Sequence, residues 1–490
     1  MVDGMNSPTP HERHGYRRLS GQDAAFLSFE GPGRPMHIGA VAFVDAALWR
    51  DLAGGFHSAG LVETLIGRAR AIPGLDHRLG RAPLSGWPVW QRDPALDYRR
   101  CVILREPAAS RQDVRDIAES AMATPLDRAL PLWRVLVVPG LDDGNTFALV
   151  FLAHHALVDG IAGMDLLTLF LDPTATSGQP ETARLGSPPT DRRMLFEELA
   201  RWIELPARLA GKAFAIGRSR SRMRRLARRT TALVRTCFRL LSPGPTTALR
   251  GSNEGSRTVA WFNIPERPLL HARKRLHGSP NDLVLAAVAQ ALTGMGGHLP
   301  FRRTRAAVPV SFRKRSERYE LGNRIGLLLT PLELRERHSG RRVASIRRHT
   351  TLQKRRGDAE GYEVLTELTA WTGQWSQRLL HWLAGTLHSY GILVTNVPGP
   401  SRPYTLGGAE LSEIYPLVPL FGSQSVSVAV VRYRGSFRVG VTASWPDRRT
   451  LETFTANLQV AFADLTRATA APVAEAAPRA GAGDPAPGRA

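Results

Sequence analysis

His154-His155-Ala156-Leu157-Val158-Asp159-Gly160 is the stretch whose reading decides the fold of this chain. Upstream, Thr146 to Ala153 holds Phe147, Leu149, Val150, Phe151 and Leu152 in one apolar run bounded by turn residues, the pattern of a buried strand. Downstream, Asp159 stands at a helix N-cap position, Gly160 permits a tight approach, and Ile161, Met164, Leu167 and Leu171 recur at helical spacing on one face. Two imidazoles therefore stand at the end of a rigid strand, with a carboxylate returning towards them across the turn. Such a turn can hold a general base, because a neutral imidazole titrates near neutral pH and takes a proton from a nucleophile without a large pKa shift. Asp159 would orient the ring pair or cap the helix.

Working outward, Arg134 to Val138 and Thr146 to Ala153 flank the turn-rich Pro139-Gly140-Leu141-Asp142-Asp143-Gly144-Asn145, which predicts a hairpin delivering the histidine pair. Trp133, beside Pro131-Leu132, is then a packing anchor beneath the site. His37 to Val44, Trp87 to Gln91 and Cys101 to Leu104 read as strands, and Asp51 to Ile72 as a helix, an alternation typical of α/β architecture. His37 reads as structural or substrate-lining. Far downstream, Ser279-Pro280-Asn281-Asp282 opens a helix: serine at the N-cap, proline at the first helical position, and Asp282 where a capping box closes.

These residues carry a resemblance. His154-His155 with Asp159-Gly160, preceded by Pro131-Leu132-Trp133, resembles the bacterial wax ester synthase/diacylglycerol acyltransferase family, a branch of the CoA-dependent acyltransferase superfamily that also holds peptide-synthetase condensation domains. Leu19-Ser20 with Asp23-Ala24-Ala25-Phe26-Leu27, Pro35-Met36-His37-Ile38-Gly39, Asn281-Asp282-Leu283-Val284-Leu285-Ala286 and Asn396-Val397-Pro398-Gly399-Pro400 follow in the family's order, over roughly residues 18 to 465. The resemblance implies an α/β protein of two chloramphenicol acetyltransferase-like sandwich domains with an active-site channel between them. It implies that His155 is the base removing a proton from an alcohol as it attacks an acyl-CoA thioester, with His154 and Asp159 in support. It places Asn281 and Asp282 in the active-site region, and Gly160 and Trp133 along the substrate path. Long-chain acyl-CoA is then a substrate, with no cofactor and no metal expected, and diacylglycerol or a fatty alcohol is the acceptor. The alternative is a condensing acyltransferase fed by a carrier protein. Ser423-Gln424-Ser425-Val426-Ser427 departs from the family's Gly-Gln-Gly pattern, and the condensation-domain Asp-Phe-Gly-Trp-Gly-like loop is absent.

At 490 residues the chain needs two domains, since single cores stop growing near about 250 to 300 residues. The boundaries expected from composition are a loose tail at 1–17, a first acyltransferase domain at 18–175, a basic helical linker at 176–255, a second domain at 256–465 and a disordered tail at 466–490. The formal net charge is +22, which points to an anionic partner. Nearly half of it lies in Asp191 to Leu241, where fourteen basic residues face four acidic ones among interleaved apolar side chains. That pattern is of basic amphipathic helices, and predicts peripheral attachment to an anionic membrane or lipid-droplet surface in place of nucleic acid. Cys101 and Cys237 are the only cysteines, so neither a disulfide framework nor a zinc site is expected. No apolar run reaches the ~18 residues of a membrane span, and a cytoplasmic protein at the inner face of the membrane is the expectation.

Overall fold

The apolar run ahead of the histidines forms β7 (Thr146–His154), and the predicted hairpin partner forms β6 (Trp133–Gly140), antiparallel to it from Trp133↔Ala153 to Val138↔Ala148. On the other side of β7 lies β2 (His37–Asp45), in a register that puts His37 opposite His154. This computed structural model describes residues 15–31, 33–171, 185–187, 189–242, 257–295, 303–314, 317, 319–372, 374–386, 390–400, 402–421, 424–445 and 447–467. Most of both expected tails and the Pro-rich junctions around 173–184 and 243–256 lie outside the described residues.

Two six-stranded sheets organise the fold. The first runs β12 (Thr405–Leu406), β13 (Ala409–Leu417), β2, β7, β6, β5 (Val102–Leu104). The second runs β10 (Ile325–Glu333), β9 (Arg303–Ser311), β11 (Ile392–Val397), β14 (Val426–Tyr433), β15 (Ser436–Ala443), β8 (Thr258–Pro265). A small third sheet joins β1 (Tyr16–Arg18), β4 (Pro88–Arg92) and β3 (His77–Arg81). The β14–β15 hairpin turns through Arg434 and Gly435, both at positive φ, the geometry whose twist suits a two-residue hairpin.

The helices in chain order are α1 (Gly21–Phe29), α2 (Ser58–Ala71), α3 (Arg111–Ala123), the single turn α4 (Leu141–Gly144), α5 (Gly160–Leu171), α6 (Asp191–Gly217), α7 (Arg220–Leu241), α8 (Glu266–Arg275), α9 (Pro280–Gly294), α10 (Ser339–Arg355), α11 (Asp358–Thr372), α12 (Gln374–Thr386) and α13 (Arg448–Arg467). Asp51 to His57, expected as the first turns of a helix, instead forms turns and an isolated bridge ahead of α2. The basic stretch is two helices, α6 and α7, and α7 packs on α11.

The sheets do not divide at residue 256. β13 belongs by sequence to the second half but pairs antiparallel with β2, from Leu411↔Val44 to Leu417↔Gly39. Without it β2 would be an edge of unpaired backbone groups over a buried apolar face, which folded sheets avoid. One core cluster accordingly mixes first-half residues such as Phe26 and Phe151 with Leu329, Leu393, Phe421 and Val431 from the second half. A second core surrounds α9.

Candidate active site

Strand alternation separates the two histidines. His154 is buried on the side of His37, with ring centroids 6.1 Å apart, and its Nδ1 accepts from Ala156 N at 3.0 Å. Its Nε2 lies 3.5 Å from Oε1 of Glu30, whose other oxygen meets Arg128 at 2.6 Å. Burial pushes the Glu30 carboxyl up, but His154 and Arg128 outweigh it and hold it at about 2. His37, fully buried, accepts from Leu126 N through Nε2, and burial depresses it to about 4.

His155 faces the other way, half-buried, and lines a cavity of about 1010 Å³, open solvent included, between the sheets. Phe26 of α1 stacks flat on its ring, 3.9 Å between centroids and 5° between planes, and Phe421 approaches edge-on at 6.1 Å. Burial pushes the His155 imidazolium down to about 4, against the opposing pull of Asp159, its own backbone carbonyl and Asn323. Neutral imidazole is therefore the resting form over the whole physiological range.

Asp159 caps α5, its Oδ1 accepting from Ala162 N at 2.8 Å. Its Oδ2 accepts from Arg313 Nη2 at 3.2 Å and from Arg324 N at 3.0 Å. Both side chains of this ion pair are almost wholly buried, at 3% and 1% exposure. Arg313 also donates to the carbonyls of Glu317, Glu320 and Gly322, so it ties the described residues between Arg313 and Arg324 together. That segment docks on the histidine turn: Gly322 N donates to Leu157 O at 2.7 Å, with Gly322 at φ +104°, a conformation side chains resist. Next to it, Asn323 Oδ1 lies 3.0 Å from His155 Nδ1. Its Nδ2 donates to His155 O at 2.6 Å and to Asp23 Oδ1 at 2.7 Å.

The cavity wall is apolar: Ile38, Phe151, Leu167 and Phe170 from the first half, Leu393, Val397 and Val431 from the second, and Ile414 and Pro416 from β13. Gly160 and Trp133 line it. A Cβ on Gly160 would stand 3.1 Å from Val397, so glycine permits the two halves to close there. Trp133 donates Nε1–H to Leu75 O at 2.8 Å and packs against Phe170, so it is packing anchor and wall at once.

The profile of the wax ester synthase/diacylglycerol acyltransferase catalytic domain matches residues 19–284, and that of the C-terminal domain of the same family matches residues 321–466. The chain belongs to the wax ester synthase/diacylglycerol acyltransferase family. Among its relatives, a Mycobacterium tuberculosis protein provisionally named a diacylglycerol O-acyltransferase is 28% identical over 468 residues, 91% of this chain and 89% of that one. The O-acyltransferase WSD of Acinetobacter baylyi is 26% identical over 446 residues, 87% of this chain and 92% of that one. In fold, the wax ester synthase/diacylglycerol acyltransferase of Marinobacter aquaeolei VT8 superposes with a TM-score of 0.63 at 24% identity, covering 93% of this chain and 100% of that one. The first condensation domain of the CDA synthetase gives 0.60 at 16% identity, covering 93% and 97%. The two-domain α/β architecture is thus shared with both of these structures, and the chain is an acyltransferase of the wax ester synthase/diacylglycerol acyltransferase family.

Within this acyltransferase the structure brings His155, Gly160 and Trp133 to one cavity and sets His154 behind it. Asp159 adjoins the site through its cap and ion pair, with hydrogen bonds to α5 and the 313–324 segment and none to either ring. Asn281 and Asp282 lie elsewhere: Asp282 closes the capping box with Ser279 and accepts from Thr350 Oγ1 at 2.9 Å, holding α9 to α10. Neither lines the cavity. The sequence alone gives Asn323, Arg313 and Asp23 no role in the site. Asp23 stands in the Leu19–Leu27 stretch and closes a capping box with Ser20, and Asn323 follows Gly322 in a segment with no periodic signal. Gln424, in the stretch that departs from the family, accepts from Phe421 N through Oε1 at 3.0 Å, and the Phe421 ring is the one that approaches His155 edge-on.

Proposed function

We propose that this acyltransferase moves a long fatty acyl group from acyl-CoA to the hydroxyl of diacylglycerol or a long-chain alcohol, with His155 as general base. The observation that carries the reading is the His155 imidazole standing on the wall of an apolar cavity lined by both halves of the chain, where burial favours its neutral form. The acyl chain would lie along Phe151, Leu167, Phe170 and Leu393, where burying apolar surface is favourable. As the acceptor oxygen attacks the thioester carbonyl, His155 takes its proton; the tetrahedral oxyanion then collapses, the C–S bond breaks, and the departing CoA sulfur receives that proton. Proton removal during attack avoids a free alkoxide and contributes about 10²- to 10⁴-fold to rate. CoA is consumed as substrate, and the arginine-rich surface supplies partners for its phosphates.

A lipid surface as the source of acceptor belongs to the same reading. No helix among the described residues is long and apolar enough to cross a membrane. On α7 the C-terminal arginines pair with acids of α11: Arg228 with Glu360, Arg229 with Glu367, Arg235 and Arg239 with Asp358. Arg220, Arg222, Arg224 and Arg225 lie exposed at the other end, and Met223, Leu226, Val234 and Phe238 are exposed along the side opposite the buried Ala232, Thr236 and Leu240. Trp202 and Phe214 of α6, and Trp375 and Trp382 of α12, add exposed aromatic surface. Aromatic and basic side chains together suit the headgroup region of an anionic leaflet at the inner face of the membrane or of a lipid droplet, in preference to nucleic acid.

The deciding experiment offers radiolabelled palmitoyl-CoA with dioleoylglycerol, with hexadecanol, or with no acceptor. The expected result is labelled ester with at least one acceptor and its near-complete loss in His155→Ala. Acyl transfer only from a carrier-protein thioester would establish the condensing alternative. Equal turnover in His155→Ala would remove the base from His155.

A further inference from the structure

We propose that Asn323 is a positioning residue for the acyl transfer: its side-chain amide holds His155 in the Nδ1-protonated tautomer, leaving the Nε2 lone pair for substrate, and Asp23 holds that amide in place. The inference rests on His155 being the base. It follows from which groups surround the amide. Nδ2 of Asn323 lies 2.6 Å from the backbone oxygen of His155 and 2.7 Å from Oδ1 of Asp23. A carbonyl oxygen can only accept, so a flipped amide would set oxygen against oxygen there; Oδ1 must therefore be the atom facing His155 Nδ1, at 3.0 Å. An amide oxygen only accepts, so Nδ1 carries the hydrogen. A neutral imidazole has one such hydrogen, and Nε2 is left as the acceptor that a general base requires.

The surroundings of Asn323 leave it little freedom. Asp23 Oδ1 also accepts from Asn323 N at 2.9 Å, and Asp23 itself is fixed by the capping box with Ser20 at the start of α1. Three residues on, Phe26 of the same helix stacks on the His155 ring, so α1 sets both the ring plane and the orienting carboxylate. The neighbouring Gly322 is tied to Leu157 O, and Arg313 clamps the segment to Asp159. The base on the first half is thus completed by an amide from the second, and it is fully assembled only when the two halves are docked. The charged and titratable groups around His155 are Asp159 and His154 on its own turn, Asp23 on α1, and Arg313 and Arg324 on the facing segment.

The test uses the full-length enzyme, palmitoyl-CoA and the acceptor it accepts. Asn323→Ala is expected to lower kcat about 10- to 100-fold with KM little changed, the scale of loss when a hydrogen-bond partner that orients a metal-ligating histidine is removed. Asn323→Asp puts a carboxylate on the ring, which favours imidazolium, so the acid limb of kcat/KM should move to higher pH by about one unit or more. A contact that served folding alone would lower the yield of active enzyme and leave that limb where it is. In parallel, 15N-histidine spectra of the wild type, with His155→Ala to assign the resonance, should show the Nδ1-protonated tautomer; this measurement stands even if neither variant folds. An Nε2-protonated ring, or Asn323→Ala turning over within about twofold of wild type, would overturn the proposal. If His155→Ala is also fully active, the assignment of the base itself has failed; if His155→Ala is dead while Asn323→Ala is intact, only the role of Asn323 has.

Discussion

Adjacent in sequence, His155 and His154 differ in everything the protein does with them, since one lines the cavity and the other faces Glu30 behind the sheet. His155→Ala should therefore retain well under a tenth of wild-type turnover, as loss of a general base implies. His154→Ala should keep measurable activity with a lowered melting temperature, because it strips Glu30 and Ala156 N of a partner. Asp159→Asn separates cap from charge: asparagine caps nearly as well, so capping alone predicts almost no change. With Arg313 buried against Asp159, loss of the charge should instead cost about 3 to 5 kcal/mol, read by denaturant unfolding. A cost below about 0.5 kcal/mol, the scale of the cap exchange, would mean that the pair contributes little. The pH behaviour has a definite sign. His37, His77 and His155 are each depressed by burial to about 4, so between there and about 6.5 the unfolded chain binds more protons, and stability should fall as pH drops through that window. Glu30, held at about 2 against an ordinary value of 4.5, contributes stability that is lost as pH falls through that interval. kcat/KM per folded enzyme should stay flat down to about pH 5, and an acid limb near 6.5 would show that His155 is not depressed in solution.

At the scale of elements, capping chemistry was readable in advance, whereas the wall of the protein that each helix faces was not. Ser279 and Asp282 form the box that their spacing predicts, and the same box recurs at Ser20–Asp23 and Ser110–Asp113. Asp282→Ala should then cost on the order of 1 kcal/mol, more if Thr350 is left unpaired, while turnover of the folded enzyme stays intact; lost turnover at unchanged stability would return Asp282 to the site. The basic linker splits into a docked part and an exposed part, which alters the variant worth making. Replacing Arg218, Arg220, Arg222, Arg224 and Arg225 with Gln should weaken co-sedimentation with anionic vesicles without loosening α7 from α11, whose partners Arg228, Arg229, Arg235 and Arg239 remain. Each basic residue near an anionic leaflet is worth roughly 1 kcal/mol, so five should move most of the bound protein to the supernatant. Unchanged binding would exclude the electrostatic contribution.

For the molecule as a whole, β13 and the Asp159–Arg313 pair tie the halves together from opposite directions: a second-half strand completes the first sheet, and a first-half carboxylate anchors a second-half segment. The expected consequence is one cooperative unfolding transition by calorimetry, with calorimetric and van't Hoff enthalpies in agreement. Expressed alone, residues 1–256 would expose the β2 edge and the apolar surface that β13 covers, and should be insoluble. Two separate transitions, or a soluble and folded first half, would show that the crossover is dispensable.

What the sequence determined by itself is local. The apolar run, the histidine turn, the caps, the hairpin through Pro139 to Asn145 and the charge of the linker all depend on residues within a few positions of one another, where period and turn chemistry can be read directly. Tertiary structure decided the rest. Asn323 is 168 positions from His155 and Arg313 is 154 from Asp159, and β13 pairs with a strand more than three hundred residues before it. No pattern in one chain specifies such meetings, because they are set by which buried polar groups and sheet edges find partners once the two halves close on each other. The same closure sends Asn281 and Asp282 away from the cavity: an Asn-Asp pair at a helix start has one local chemistry, and only packing says which wall of the protein that helix faces.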